Sequence, residues 1–128
     1  MAATTHQPPA QLDFDALRRA IEERDVVAQL ALYAADAVVR LVDRIRTPRS
    51  PRVLHGHEEV RAWLEDVCGR DMTHRVDTPV VADGAIAFTE ACRYPDGTNV
   101  LCATVLELRD GLVLRQVAVQ AWDEPRTD

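Results

Sequence analysis

The chain has 128 residues, enough for one core and one domain. Hydrophobic residues at 47% and charged residues at 28% are globular proportions and exclude a disordered or fibrous chain. A net charge of -6 opposes binding to phosphate backbones, and no apolar run approaches the roughly 18 residues of a membrane span, so nucleic acid and membrane drop out as partners.

Residues 1–11, with Pro8 and Pro9 among small polar residues, read as a loose tail, as do residues 124–128. The opening MAATTHQPPAQ has neither a basic n-region nor an apolar core, so a soluble, cytoplasmic protein is expected. All 15 basic residues are arginine, which looks like coding bias from a GC-rich bacterium and excludes lysine-based covalent chemistry.

From Asp13 the helix signals begin. Asp13 can cap, and Phe14, Leu17 and Ile21 recur at helical spacing. Asp25 can cap a second helix on which Val26, Leu30 and Tyr33 face one way. Residues 37–42, AVVRLV, are rich in β-branched side chains and read as a strand. The stretch DRIRTPRSPR (43–52) carries four arginines and two prolines and reads as an exposed loop. Gly56 then precedes an amphipathic helix with Val60, Trp63, Leu64 and Val67 on one face, ending at Gly69. The remainder alternates as strands separated by Asp83-Gly84, Asp96-Gly97 and Asp110-Gly111, three strong hairpin signals. Helices first and an antiparallel meander afterwards imply an α+β domain over residues 12–123: three helices packed on one face of a curved sheet.

Hairpin arithmetic suggests what a pocket would contain. With Asp96-Gly97 centred symmetrically, Cys92 faces Leu101, Glu90 faces Ala103 and Phe88 faces Val105, which puts Cys102 and Leu106 on the opposite face. Both faces are largely apolar, so a second chain is the simplest cover for the convex one, through Cys102, Leu106, Val117 and Val119. Glu90 stands out as a carboxylate on an apolar wall. For residues 72–82 two registers remain open. One puts Arg75 and Asp77 beside Glu90; a single bulge would instead put His74, Val76 and Thr78 inside. Glu90, Asp77, Arg75 and His74 are therefore the candidate acid/base residues. On the last strand Gln116, Ala118, Gln120 and Trp122 share a side suited to a cavity wall. No Cys/His cluster has zinc spacing and no Gly-rich phosphate loop is present, so neither metal nor organic cofactor is expected, and the three cysteines read as reduced, buried small hydrophobes.

Three stretches resemble the nuclear transport factor 2-like superfamily, which includes ketosteroid isomerases, SnoaL-like polyketide cyclases and limonene epoxide hydrolases. They are Arg24-Asp25-Val26 through Leu32-Tyr33-Ala34-Ala35-Asp36-Ala37-Val38, Gly56-His57-Glu58-Glu59-Val60 with Trp63-Leu64, and the meander ending Gln120-Ala121-Trp122-Asp123. The resemblance implies a cone with a pocket between helices and concave sheet, often dimeric. It implies pocket positions at Phe88, Glu90, Cys92, Gln116 and Gln120. The ketosteroid isomerase tyrosine, base and oxyanion aspartate would fall on Leu17, Leu41 and near Val105, so that mechanism is not expected; those positions with Trp122 complete the expected substrate-binding set. The implied activity is cofactor-free cyclisation, isomerisation or hydration of an apolar, polyketide-like ligand. A non-catalytic binder or a dimerising accessory protein is the alternative, to be distinguished by how many titratable groups the cavity holds.

Overall fold

The computed structural model describes residues 12–123; both expected tails lie outside the described residues. Helix α1 (Phe14–Glu22) is capped by Asp13, whose carboxylate accepts from the amides of Asp15 at 2.9 Å and Ala16 at 3.3 Å. Asp25 caps the short α2 (Val26–Leu30) through the amide of Ala28 at 3.0 Å. The chain then enters strand β1 (Tyr33–Val42) and passes through the arginine-rich segment to β2 (Arg52–His55), a short strand that the sequence pattern did not suggest. Helix α3 (Gly56–Gly69) follows, then β3 (Thr73–Ala82), β4 (Ala85–Arg93), β5 (Asn99–Arg109) and β6 (Leu112–Asp123).

The six strands form one sheet in the order β2-β1-β6-β5-β4-β3. All neighbours are antiparallel except β1 and β6, which run parallel, so the sheet is mixed and not a pure meander. The helices cover the concave face. Leu17 and Ile21 of α1, Val60 and Leu64 of α3, and Val39, Ile86, Phe88 and Leu106 of the sheet make one buried core. Two polar contacts hold the entry to α3: the amide of His55 donates to Glu59 at 2.8 Å, and His57 donates to the carbonyl of Tyr33 at 2.7 Å. The His55-Gly-His57 pair thus serves the loop and helix entry. Gly56 there has φ +80, and a Cβ would stand 3.4 Å from the carbonyl of Ala35.

Two strand registers decide which residues reach the interior. The β4–β5 hairpin pairs Arg93 with Asn99, Cys92 with Val100 and Glu90 with Cys102. That is one residue off the symmetric expectation. The loop closes as a turn in which the amide of Gly97 donates to the carbonyl of Tyr94 at 3.1 Å, with Gly97 at φ 93. Pro95 suits the second position of such a turn, and glycine suits the left-handed position that follows, giving a three-residue loop. The slip exchanges the faces of β5. Cys102 and Leu106 are buried on the concave side, whereas Leu101, Ala103 and Val105 point outward. The expected interior position of Val105 is thereby corrected, as is the expected opposition of Cys92 and Cys102, which share the concave face and stay unbridged.

In β3 the bulged alternative is the one realised. Asp77 pairs with Thr89 but Val80 pairs with Ala87, so Thr78 and Pro79 together oppose Phe88. Thr78 takes φ 49, and Pro79 offers no amide to the ladder, which confines it to such an interruption. His74 and Val76 consequently face inward, with partners Cys92 and Glu90; Arg75, Asp77 and Thr78 are exposed.

Candidate functional site

The inward side chains form rows across the sheet, because paired residues on neighbouring strands share a face. One row runs His74, Cys92, Val100, Trp122; the next runs Val76, Glu90, Cys102, Gln120; a third holds Phe88, Thr104 and Ala118. Above them sit Leu17 and Ile21 from α1 and Trp63, Leu64, Val67 and Cys68 from α3, enclosing a cavity. Its free space is about 70 Å³.

Inside it several polar groups are hydrogen-bonded in separate clusters. Nδ1 of His74 donates to Oε1 of Glu90 at 2.6 Å; the histidine side chain is 3% exposed and the glutamate 16%. Nε2 of His74 is buried and has no hydrogen-bond partner among the described residues, so the ring proton sits on Nδ1, where it meets an acceptor. The Cys92 thiol lies 3.4 Å from His74 Nδ1 and 3.6 Å from Glu90 Oε1. The buried Tyr33 hydroxyl donates to the carboxamide oxygen of Gln116. Trp122 Nε1 donates to the Gln120 oxygen at 3.1 Å. Both amides therefore keep their NH2 donors for other partners.

Electrostatics separate the roles of these groups. Burial pushes the Cys92 thiol far up, and the negative charge of Glu90 pushes the same way. Burial raises the Cys102 thiol to about 11, with Glu90 adding to it, and raises Cys68 as well. Tyr33 is held well above the ordinary phenol range by burial and then by Glu90. All three thiols are thus protonated at neutral pH, which removes the thiolate that nucleophilic catalysis needs. Glu90 is the charge that the surrounding weak acids feel.

Residues near Trp122 frame one end. Its ring stacks on Tyr94 with centroids 6.1 Å apart, and the Arg44 guanidinium lies 4.3 Å above it. Tyr94 Oη accepts from Arg70 at 3.1 Å, and Arg70 also pairs with Asp66 at 2.6 Å. The arginine-rich segment thereby reaches the site through Arg44.

Of the residues proposed from sequence, Glu90, His74, Leu17, Phe88, Cys92, Gln116, Gln120 and Trp122 line the cavity. Arg75 and Asp77 are exposed on the convex side, because the bulge reverses that part of β3. Leu41 is buried beside Ala118 in the core, outside the cavity wall, and Val105 is exposed. Asp36 is exposed and bonds Arg109 at 2.7 Å, a structural tie that lowers its carboxyl. Tyr33, Cys102, Thr104, Tyr94 and Arg70 also line the cavity and were not in the sequence-based site. Pro95 was the signal that could have recovered Cys102 and Thr104, through the register it sets.

An α+β cone whose helices close a small cavity over a concave sheet defines a nuclear transport factor 2-like domain. The chain belongs to the SnoaL-like domain family, which matches residues 14–116. Among solved structures, it is similar to an NTF-2 like protein of unknown function from Burkholderia xenovorans (18% identity, TM-score 0.69, 90% of this chain and 83% of that one). An NTF2-like protein of unknown function from Mesorhizobium loti is similar at 14% identity and TM-score 0.71, over 84% and 87% of the two chains. A protein of ketosteroid isomerase-like fold from Catenulispora acidiphila, solved in complex with trimethylamine, is similar at 18% identity and TM-score 0.62, over 82% of each chain. No functionally curated protein matches the sequence. Among the described residues no helix is long and apolar enough to cross a membrane.

Proposed function

We propose that the protein is a small-molecule enzyme that moves a proton on an apolar-bodied organic substrate, with Glu90 as the acid/base and His74 as its positioning residue. The observation that carries this reading is the 2.6 Å bond from His74 Nδ1 to Glu90 inside a cavity with apolar walls and a few polar side chains. The bond fixes one carboxylate oxygen and leaves the other able to accept or return a proton. Several titratable groups share the cavity, which favours an enzyme over a passive binder. Gln120 stands two strands from Glu90 in the same row, roughly 9.6 Å away along the backbone; its free NH2 is suited to an oxygen on which charge develops. The reaction class that fits is isomerisation, cyclisation or hydration. A ligand of polyketide size needs the cavity to widen, because the space at rest is only about 70 Å³. The trimethylamine held by the Catenulispora structure supports small-ligand binding by this fold.

The test is turnover of small carbonyl, enol and epoxide compounds by native protein and by Glu90→Gln, which keeps shape and removes ionisation. The variant should lose about 10²- to 10⁴-fold in rate. Full activity in Glu90→Gln would end the acid/base assignment.

The same reading includes a homodimer through the convex face. Leu101 is 55% exposed, Val105 51%, Val119 47% and Val117 42%. The pairs Leu101 with Ala121, Ala103 with Val119 and Val105 with Val117 make these side chains one contiguous apolar patch. A second copy covers such a patch symmetrically.

A further inference from the structure

We propose that His74 Nδ1, Glu90 Oε1 and Cys92 Sγ form a three-ligand site for a zinc-class divalent cation, its remaining position open to the cavity. The three atoms lie within 4.8 Å of one another. Tetrahedral zinc with bonds of roughly 2.0–2.3 Å sets its ligand atoms roughly 3.3–3.7 Å apart. The sulfur already meets that spacing, at 3.4 Å from the histidine nitrogen and 3.6 Å from the carboxylate oxygen. Only the nitrogen–oxygen pair, at 2.6 Å, is too close. That pair is held together by a shared proton, and it need part by only about 0.7 Å when the proton is replaced by an ion.

The donor set of imidazole, thiolate and carboxylate suits zinc and its borderline neighbours better than magnesium or calcium. The site is rigid, because the ligands come from two paired strands: His74 pairs directly with Cys92, and Glu90 stands two residues before Cys92 on the same face. It is also accessible. Glu90 and Cys92 both line the cavity, so a water or a substrate oxygen can take the fourth position, as in catalytic zinc sites. A bound cation reverses the local electrostatics. Glu90 and burial now keep the thiol protonated, whereas a divalent ion at the sulfur drives that proton off. One feature limits affinity. Metal on Nδ1 moves the ring proton to Nε2, which has no partner among the described residues. A missing outer-shell acceptor weakens a metal site about 10- to 100-fold, so the site should yield its ion to a chelator.

The proposal shares Glu90 with the acid/base reading and goes beyond it. A metal-loaded cavity has no free base, so zinc would switch one chemistry for another. Cobalt(II) is the probe, added to native protein that has been stripped of metal and reduced with a phosphine. One equivalent should give a thiolate-to-cobalt charge-transfer band and the visible bands of tetrahedral cobalt, both bleached by zinc. Cys92→Ser should lose the charge-transfer band, and Glu90→Gln and His74→Gln should each weaken binding at least about tenfold. Cys68→Ser and Cys102→Ser should keep the band. Circular dichroism of each variant checks its fold. Zinc added to weakly buffered native protein should also release a proton, a readout that needs no variant. Absence of the band at saturating cobalt, or its survival in folded Cys92→Ser, overturns the site. Turnover by Glu90→Gln is measured without metal, so the site and the acid/base role can fail separately.

Discussion

Replacing His74 and Glu90 with leucine, singly and together, measures how strongly the interior pair is coupled. The bond between them is short, at 2.6 Å, and nearly dry, with side-chain exposures of 3% and 16%. Hydrogen bonds to a charged group contribute about 1.5–3 kcal/mol net, and stranding one buried partner costs about 1–3 kcal/mol more. His74→Leu strands the carboxylate. Glu90→Leu strands an imidazole whose other nitrogen already has no partner among the described residues. Each single change should therefore destabilise by about 2.5–6 kcal/mol. The double change removes both polar groups and leaves an apolar wall, so it should cost less than the sum by about 1.5–3 kcal/mol. For a chain of this length each kcal/mol lowers Tm by about 3–6 °C. Urea unfolding followed by tryptophan fluorescence is a suitable assay, because Trp63 and Trp122 both line the cavity. Protomer concentration is held constant, since dimerisation would add to apparent stability. Additivity of the two single changes within about 0.5 kcal/mol would show that the pair is not coupled and would remove His74 as the positioning residue.

Stability should fall on the alkaline side. Unfolded Cys102 ionises near 9.0 while the folded thiol keeps its proton to about 11; the unfolded state loses its proton first, so stability declines by about 1.4 kcal/mol per pH unit across that window. Tyr33 and Cys92 act in the same direction. Urea midpoints from pH 8 to 11 check this, and Cys102→Ala should flatten the decline; an unchanged slope would refute the assignment. Light scattering at micromolar concentration should report two chains for the native protein and one for Val117→Glu, which puts an unpaired charge into the apolar patch at a cost of several kcal/mol. A native monomer would refute the dimer.

The order of elements, β2 apart, was legible in the sequence because it rests on local chemistry. Asp13 and Asp25 cap helices wherever the chain goes, Val60, Trp63, Leu64 and Val67 make one helical stripe, and Asp110-Gly111 turns tightly, with both residues at positive φ. Glu90 on an apolar strand face was equally visible, since alternation within one strand needs no partner. Tertiary structure decided which residues join it. Face assignment on a neighbouring strand depends on register, and a slip of one residue reverses every side chain. The three-residue Pro95–Gly97 loop brought Cys102 and Thr104 inside and turned Val105 out. The bulge at Thr78-Pro79 chose His74 over Arg75 and Asp77. The parallel pairing of β1 with β6, and the closeness of Tyr33 to Gln116 across 83 positions, join distant parts of the chain. No local pattern encodes such a contact; it follows only when the helices close over the sheet and bury both side chains together.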